Sequence, residues 1–273
     1  MLAEQALAAL PAGHRAFVER ALPVLAADPR TLAVAGAGSW ATGGMDEFSD
    51  LDLVIVVADD ARDAAVRDAR AVAASLGDLL VGFSGEHVGA PNLLICLYAP
   101  WTLHVDLKFA ALDELRERIE DPVILLDRSG ALAELVRTTT PRSLAPDLQW
   151  LEDRFWVWIH YTATKLARGE LLECLDALAF LRKHVLCPLA MLRQGCEPRG
   201  TRRLEERARA ELPALLRTVA PSGARECLSA LRAALDLYLE LREFHAQARP
   251  LIRQERARAA ATDYLDRVAA SLS

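Results

Sequence analysis

Two aspartates one residue apart, Asp50 and Asp52, stand at the mouth of the apolar run Leu51–Val57. Side chains alternate along a strand, so the pair shares one face while Leu51 and Leu53 take the other. Carboxylates this close repel each other unless a cation lies between them. Hard divalent ions take oxygen ligands, and Mg²⁺ is commonly held by one or two carboxylates together with substrate phosphates. Ahead of the pair, a short apolar strand, Leu32–Ala35, breaks at Gly36, Gly38 and Ser39, and a further turn follows through Gly43 and Gly44. A Gly-Ser turn lets backbone amides approach a phosphate with no side chain in the way. A third carboxylate, Asp106, projects from a strictly alternating stretch. Leu103, Val105, Leu107 and Phe109 lie on one face of it, and His104, Asp106 and Lys108 on the other. Each piece has a plain use, since aspartates cap turns and glycines serve them. The order of the three pieces, with strands on both sides, is what favours a metal–phosphate site.

Gly38-Ser39, ten residues, then Asp50-Leu51-Asp52-Leu53 resembles the signature of the polymerase-β-type nucleotidyltransferase superfamily, with Asp106 in the place of its third carboxylate. The resemblance implies Mg-dependent transfer of a nucleoside monophosphate, AMP from ATP or the equivalent from another nucleoside triphosphate, to a hydroxyl group. On that reading Asp50, Asp52 and Asp106 are both catalytic residues and metal ligands, two ions being expected. Gly38 and Ser39 grip the β,γ-phosphates.

The rest of the chain limits what such a site serves. At 273 residues, 52% hydrophobic and 26% charged, it has the length for two ordinary domains and the composition for packed cores. No apolar run approaches a bilayer span and no leader pattern opens the chain, so no membrane association and a cytoplasmic location are expected. A net charge of −6 disfavours nucleic acid and leaves a small hydroxylated molecule as the expected acceptor. The five cysteines show no paired metal spacing and are read as packing residues. Association as a monomer or homodimer is left open.

The elements that must hold the site divide at Thr138-Thr139-Thr140-Pro141. Before it, helices over 3–27 (broken at Pro11 and Gly13), 59–75 and 112–119 alternate with strands at 32–35, 51–57, 78–83, 93–98, 102–109 and 123–127. After it only helical patterns appear, at 147–167, 171–193, 204–219, 224–246 and 251–272. The expected fold is α+β: a catalytic domain over residues 1–142 with a small mixed sheet flanked by helices, then an all-α bundle over 143–273 that binds substrate or nucleotide.

In the helical half, Lys165 and Arg168 are three apart and share a helix face, one turn beyond Tyr161. They are candidate cations for the triphosphate; solvated surface charge is the plain alternative. Arg199, Arg202 and Arg203 crowd a loop around Gly200 and carry the same two readings. Phe155, Trp156, Trp158 and Tyr161 read as packing between the helical half and the sheet, or as a stacking surface. Glu170, Glu173 and Asp176 form an acidic stripe that would suit substrate ammonium groups. The segment Phe155–Arg168 is similar to the start of the helical domain of bacterial aminoglycoside 6-adenylyltransferases, and Leu125-Leu126-Asp127-Arg128-Ser129-Gly130 resembles the strand and turn that close their catalytic domain. This likeness implies an aminoglycoside-like antibiotic as acceptor, hence antibiotic resistance; a pocket where the two halves meet is expected because the sheet half has the metals and the helical half the acids and aromatics. Glu86, His87 and His104 are further candidates to line it. The competing function is a nucleotide-binding or toxin-neutralising module of the same fold with weak catalysis. Clustered negative charge argues against that module, which gains nothing from it.

Overall fold

The computed structural model describes residues 2–272, which form two compact units, Met1–Arg142 and Ser143–Ser273. In the first, helices α1 (Leu2–Ala8) and α2 (Ala12–Ala27) lead into strand β1 (Thr31–Gly36), and the four-residue helix α3 (Gly38–Ala41) precedes β2 (Leu51–Val57). Helix α4 (Arg62–Leu76), strands β3 (Leu79–Gly85), β4 (Ala90–Tyr98), β5 (Leu103–Ala111) and β6 (Val123–Asp127), and helix α5 (Ala131–Thr138) complete it. The six strands make one mixed sheet in the order β3-β4-β5-β2-β1-β6. Only β2 and β5 run parallel; every other neighbouring pair is antiparallel.

Period-2 patterning decides which face of the sheet is buried. Leu51, Leu53 and Ile55 of β2 and Leu103, Val105, Leu107 and Phe109 of β5 lie in one core with Phe17, Val18, Ala21 and Leu25 of α2. Helix α4 joins that core through Ala65, Ala69, Ala73 and Leu76, so its alanine-rich sequence is the close-packing stripe of a helix laid on a sheet. The opposite face changes character along each strand. On β2 it reads Asp52, Val54, Val56, and on β5 His104, Asp106, Lys108, Ala110. Val56 and Ala110 are covered by Leu132 and Leu135 of α5 and by Leu115 of the 3₁₀ turn Leu112–Glu117. The acidic ends are only partly buried. One sheet face is thus half core and half site.

The second unit is all helix: α6 (Leu148–Ala167), α7 (Leu171–Leu181), α8 (Cys187–Arg193), α9 (Leu204–Arg207), α10 (Leu212–Leu216), α11 (Ala224–Ala246) and α12 (Glu255–Ser271). Asp147 caps α6, its carboxylate accepting from the Gln149 and Trp150 amides. Phe155, Ile159, Ala163 and Leu166 of α6 meet Cys227, Leu231, Ala234, Tyr238 and Leu241 of α11 in the core. Phe155 stacks on Tyr238 with ring centroids 3.6 Å apart. Phe155 and Trp156 are therefore interior residues of the bundle, and the expectation that they form packing between the halves is corrected. At the centre lies Glu152, wholly buried, accepting from Trp156 Nε1 (3.1 Å), Tyr238 OH (2.7 Å), Arg242 Nη1 (3.1 Å) and the Gln254 amide (2.9 Å). Four donors around one carboxylate tie α6, α11 and the entry to α12 together.

Several element boundaries differ from the sequence pattern. The path from Leu171 to Arg193 carries a π turn at Arg182–Leu186, just before Pro188, whose missing N–H cannot continue the α ladder. The pattern over 204–219 is split into α9, a 3₁₀ turn at Arg209–Glu211 and α10, with Pro213 in the last piece. Helices α3 and α5 were not expected; both are too short for a periodic signal.

Candidate active site

Parallel pairing puts Asp52 of β2 directly beside Asp106 of β5, and Asp50 precedes β2 on the same face. One carboxylate oxygen from each of the three lies within 4.8 Å of the others. An all-oxygen set of three carboxylates is the donor chemistry of a hard divalent cation, so these residues fit Mg²⁺. Burial raises the Asp106 carboxyl above its ordinary range; His104 opposes the shift and the charge of Asp50 adds to it. His104 Nε2 lies 2.9 Å from Asp106 Oδ1, with the imidazole about half exposed.

The turn after β1 is built against this cluster. The Ala37 amide donates to the Asp52 carbonyl at 2.9 Å, fastening the turn to β2. Trp40, 7% exposed, lies across Gly36 so closely that a Cβ there would sit 2.2 Å from its ring. Between these anchors Gly38 has φ +61°, and a Cβ on it would fall 1.9 Å from Asp52 Oδ2. The space that a side chain would occupy is taken by the carboxylate, so position 38 excludes anything but glycine. Next to it, the Ser39 hydroxyl is buried with no hydrogen-bond partner. Buried hydroxyls are nearly always satisfied, so this orphan beside a carboxylate cluster calls for an explanation.

Glu120 completes the turn and was not foreseen. Its Oε1 accepts from the Gly38 amide at 2.5 Å. It lies in the loop before β6, and β6 pairs with β1 so that Val123 faces Gly36. Sheet order alone brings this loop to the turn; nothing local in Ile119-Glu120-Asp121-Pro122 announces it. The contact shows that the Gly38 amide is presented to an anionic oxygen.

In the helical unit, Lys165 Nζ lies 2.7 Å from Glu170 and 3.9 Å from Glu173, and Arg168 Nη1 lies 3.7 Å from Glu170. Tyr161 donates to Glu173 at 2.5 Å and lies under the Lys165 ammonium. The two cations and Glu170 and Glu173 of the acidic stripe, read separately from the sequence, are one ion-pair cluster. Trp158, Tyr161, Glu173, Asp176 and Phe180 border a cavity of about 340 Å³. Arg199 and Gly200 border another of about 310 Å³ with Lys183 and His184. His87 is exposed on the 3₁₀ turn Glu86–Val88, its ring 5.7 Å from that of Phe83. No helix among the described residues is long and apolar enough to cross a membrane.

No family model matches the chain, and no curated protein does. Among solved structures it is similar to an aminoglycoside 6-adenyltransferase from Bacillus subtilis, over 95% of this chain and 99% of that one, at 16% identity and a TM-score of 0.41. It is also similar to a nucleotidyltransferase-like protein from Exiguobacterium sibiricum, over 82% of this chain and 73% of that one, at 14% identity and a TM-score of 0.39. Likeness of this degree assigns no role to any residue.

Proposed function

We propose that the chain is a nucleotidyltransferase that moves a nucleoside monophosphate, AMP from ATP in the first instance, onto a hydroxyl of a small molecule. The observation that carries this reading is the clustering of three carboxylates within 4.8 Å beside a turn with an orphaned buried hydroxyl. Asp50, Asp52 and Asp106 would hold Mg²⁺, two ions in all. Bound there, magnesium would neutralise phosphate charge and lower the pKa of the attacking hydroxyl. The Gly38 amide and Ser39 hydroxyl bind the outer phosphates, with Glu120 giving up the amide. The acceptor oxygen forms its bond to the α-phosphorus as the bond to the bridging oxygen breaks and pyrophosphate leaves. The acceptor proton passes to Asp106, which reaches solvent through His104. Lys165 and Arg168 are proposed as further cations for the triphosphate, exchanging their glutamate partners for phosphate oxygens.

The acceptor is proposed to be an aminated, aminoglycoside-like molecule; the helical cavity, where Glu173 and Asp176 meet three aromatic walls, suits an ammonium group as a separate subsite. Nucleic acid is excluded from the proposal, so single-stranded RNA should show no binding at physiological salt. The test is pyrophosphate release from ATP and Mg²⁺ across a panel of hydroxylated amines, with Asp52→Asn beside the parent chain. Loss of release in a variant with an unchanged circular dichroism spectrum is expected. Turnover undiminished in Asp52→Asn would end the proposal. Tight Mg·ATP binding without transfer to any acceptor would replace it with the binding-module reading.

A further inference from the structure

Beside the carboxylates the sheet unit contains a second feature that the phosphate chemistry does not use. A cavity of about 580 Å³ opens between the start of α2, the loop before β2 and the turn between β4 and β5. Its size falls within the range of about 300–1,000 Å³ common to small-molecule sites. Two aromatic rings flank it: Trp101, 52% exposed and lying against the backbone at Gly13, and Phe48, 89% exposed. Leaving rings of this size in water costs a favourable burial, so their exposure at the rim of one cavity calls for an explanation. One wall is fixed from below: His14, 3% exposed, donates from Nε2 to the Ser49 carbonyl at 2.7 Å, locking α2 to the residue before Asp50. His104, hydrogen-bonded to Asp106, is among the lining residues. Glu47 supplies the charge at the rim, and no lysine or arginine is among the lining residues.

The direction of the reaction says what this cavity takes. In phosphoryl-type transfer the attacking and leaving oxygens lie roughly in line on opposite sides of phosphorus. The turn at Gly38 and Ser39 follows β1, which flanks β2 on one side, while β5 with Asp106 and His104 flanks it on the other. Pyrophosphate held at the turn therefore leaves the β5 side for the attacking hydroxyl. We infer that this cavity is the acceptor subsite, taking a neutral or cationic polyhydroxylated ring between Trp101 and Phe48 with one hydroxyl directed at Asp106. The inference rests on the nucleotidyl-transfer reading and adds the residues that select the acceptor. The absence of basic lining rejects phosphorylated rings, and the flat aromatic faces suit the C–H face of a sugar or cyclitol.

Saturation-transfer NMR on the full chain, with Mg²⁺ and a non-hydrolysable ATP analogue present, reads the subsite without needing turnover. The probes are D-glucosamine, myo-inositol and D-glucose 6-phosphate at millimolar concentration. Transfer to the first two and not to the phosphate ester is expected. In Trp101→Ala and Phe48→Ala it should fall at least fivefold, recovering in Trp101→Phe, while calorimetric Mg·ATP affinity stays within twofold of the parent. Transfer unchanged in both alanine variants, or strongest to glucose 6-phosphate, overturns the inference and leaves the nucleotidyl-transfer reading standing. Loss of Mg·ATP affinity in the same variants also overturns it, because the cavity would then belong to the nucleotide. Should the parent chain bind Mg·ATP but neither neutral nor cationic ring, the subsite is refuted independently of the metal chemistry.

Discussion

Replacing Gly38 by alanine tests the metal–phosphate site at its tightest point. The residue has φ +61°, where an L side chain costs about 1–2 kcal/mol. The added Cβ would stand 1.9 Å from Asp52 Oδ2, whereas unstrained contacts begin roughly 1.5 Å farther out. Either the turn or the carboxylate must move by on the order of 1 Å, and misplacement on that scale costs about 10²-fold in rate. Gly43 supplies the control: its φ is +69° but nothing lies within 4 Å of a Cβ built there, so Gly43→Ala carries the backbone strain without the collision. Both variants should lose stability, the backbone strain alone being worth about 2–8 °C in Tm for a unit of this size. Only Gly38→Ala should also lose about two decades of kcat and the rise in Tm that Mg²⁺ produces. Differential scanning fluorimetry with and without Mg²⁺, beside pyrophosphate release, separates the two. A Gly38→Ala chain whose metal response and turnover match those of Gly43→Ala would refute the argument that the turn is shaped by Asp52.

Burial of an ionised Asp106 should cost stability when no cation is bound. Asp106 titrates above the ordinary carboxylate range in the fold, so its ionised form destabilises the protein at neutral pH, and that cost vanishes as pH falls through the raised value toward the unfolded one. Asp106→Asn in EDTA should therefore melt higher than the parent at pH 8, with the gap closing toward pH 4; a gap that widens on acidification would contradict this. In the bundle, Arg242→Met leaves the buried Glu152 without its cation, and the loss should be about 3–5 kcal/mol by urea denaturation, partly recovered by adding Glu152→Gln. A loss below about 1 kcal/mol would show that the tyrosine, tryptophan and backbone donors suffice. Burial pushes the thiols of Cys96 to about 11 and of Cys174 and Cys187 to about 12, so iodoacetamide at pH 8 should label the partly exposed Cys196 well before these three. Early labelling of Cys174 or Cys187, read by peptide mass spectrometry, would contradict their placement in the core.

What could be read in advance follows from the range of the interactions involved. The clustering of Asp50, Asp52 and Asp106 was legible because strand alternation is local: Asp52 and Asp106 lie on strands whose other face is plainly apolar, and Asp50 stands just before β2. The change from sheet-bearing to all-helical sequence was legible for the same reason. Glu120 was not, because its approach to Gly38 depends on β6 lying beside β1, a pairing across more than eighty residues with no local mark. Trp101 and Phe48 sit in loops, where nothing periodic separates a ring aimed at a cavity from one left in solvent. Phe155 and Trp156 were misplaced because a dense aromatic run shows that something is buried without saying against what. The link between Lys165 and Glu170 escaped the three- and four-residue spacing rule because the helix ends between them: Gly169 turns with φ +69°, and the Glu170 amide bonds back to the Lys165 carbonyl.

That last contact also decides how much weight the helical unit carries in the functional argument. Lys165, Arg168, Glu170 and Glu173 satisfy one another near the surface, and exposed pairs of this kind contribute little to stability. A ligand ammonium or phosphate could replace either partner with little loss, so the cluster is compatible with substrate binding but does not require it. The sheet cluster differs in kind. Backbone register sets Asp52 beside Asp106, the turn is fastened to the Asp52 carbonyl, and the Asp52 carboxylate fills the space beside Gly38. A fold that buries Asp106 beside two further carboxylates, next to a hydroxyl it leaves unbonded, has the local inconsistency expected of a functional site.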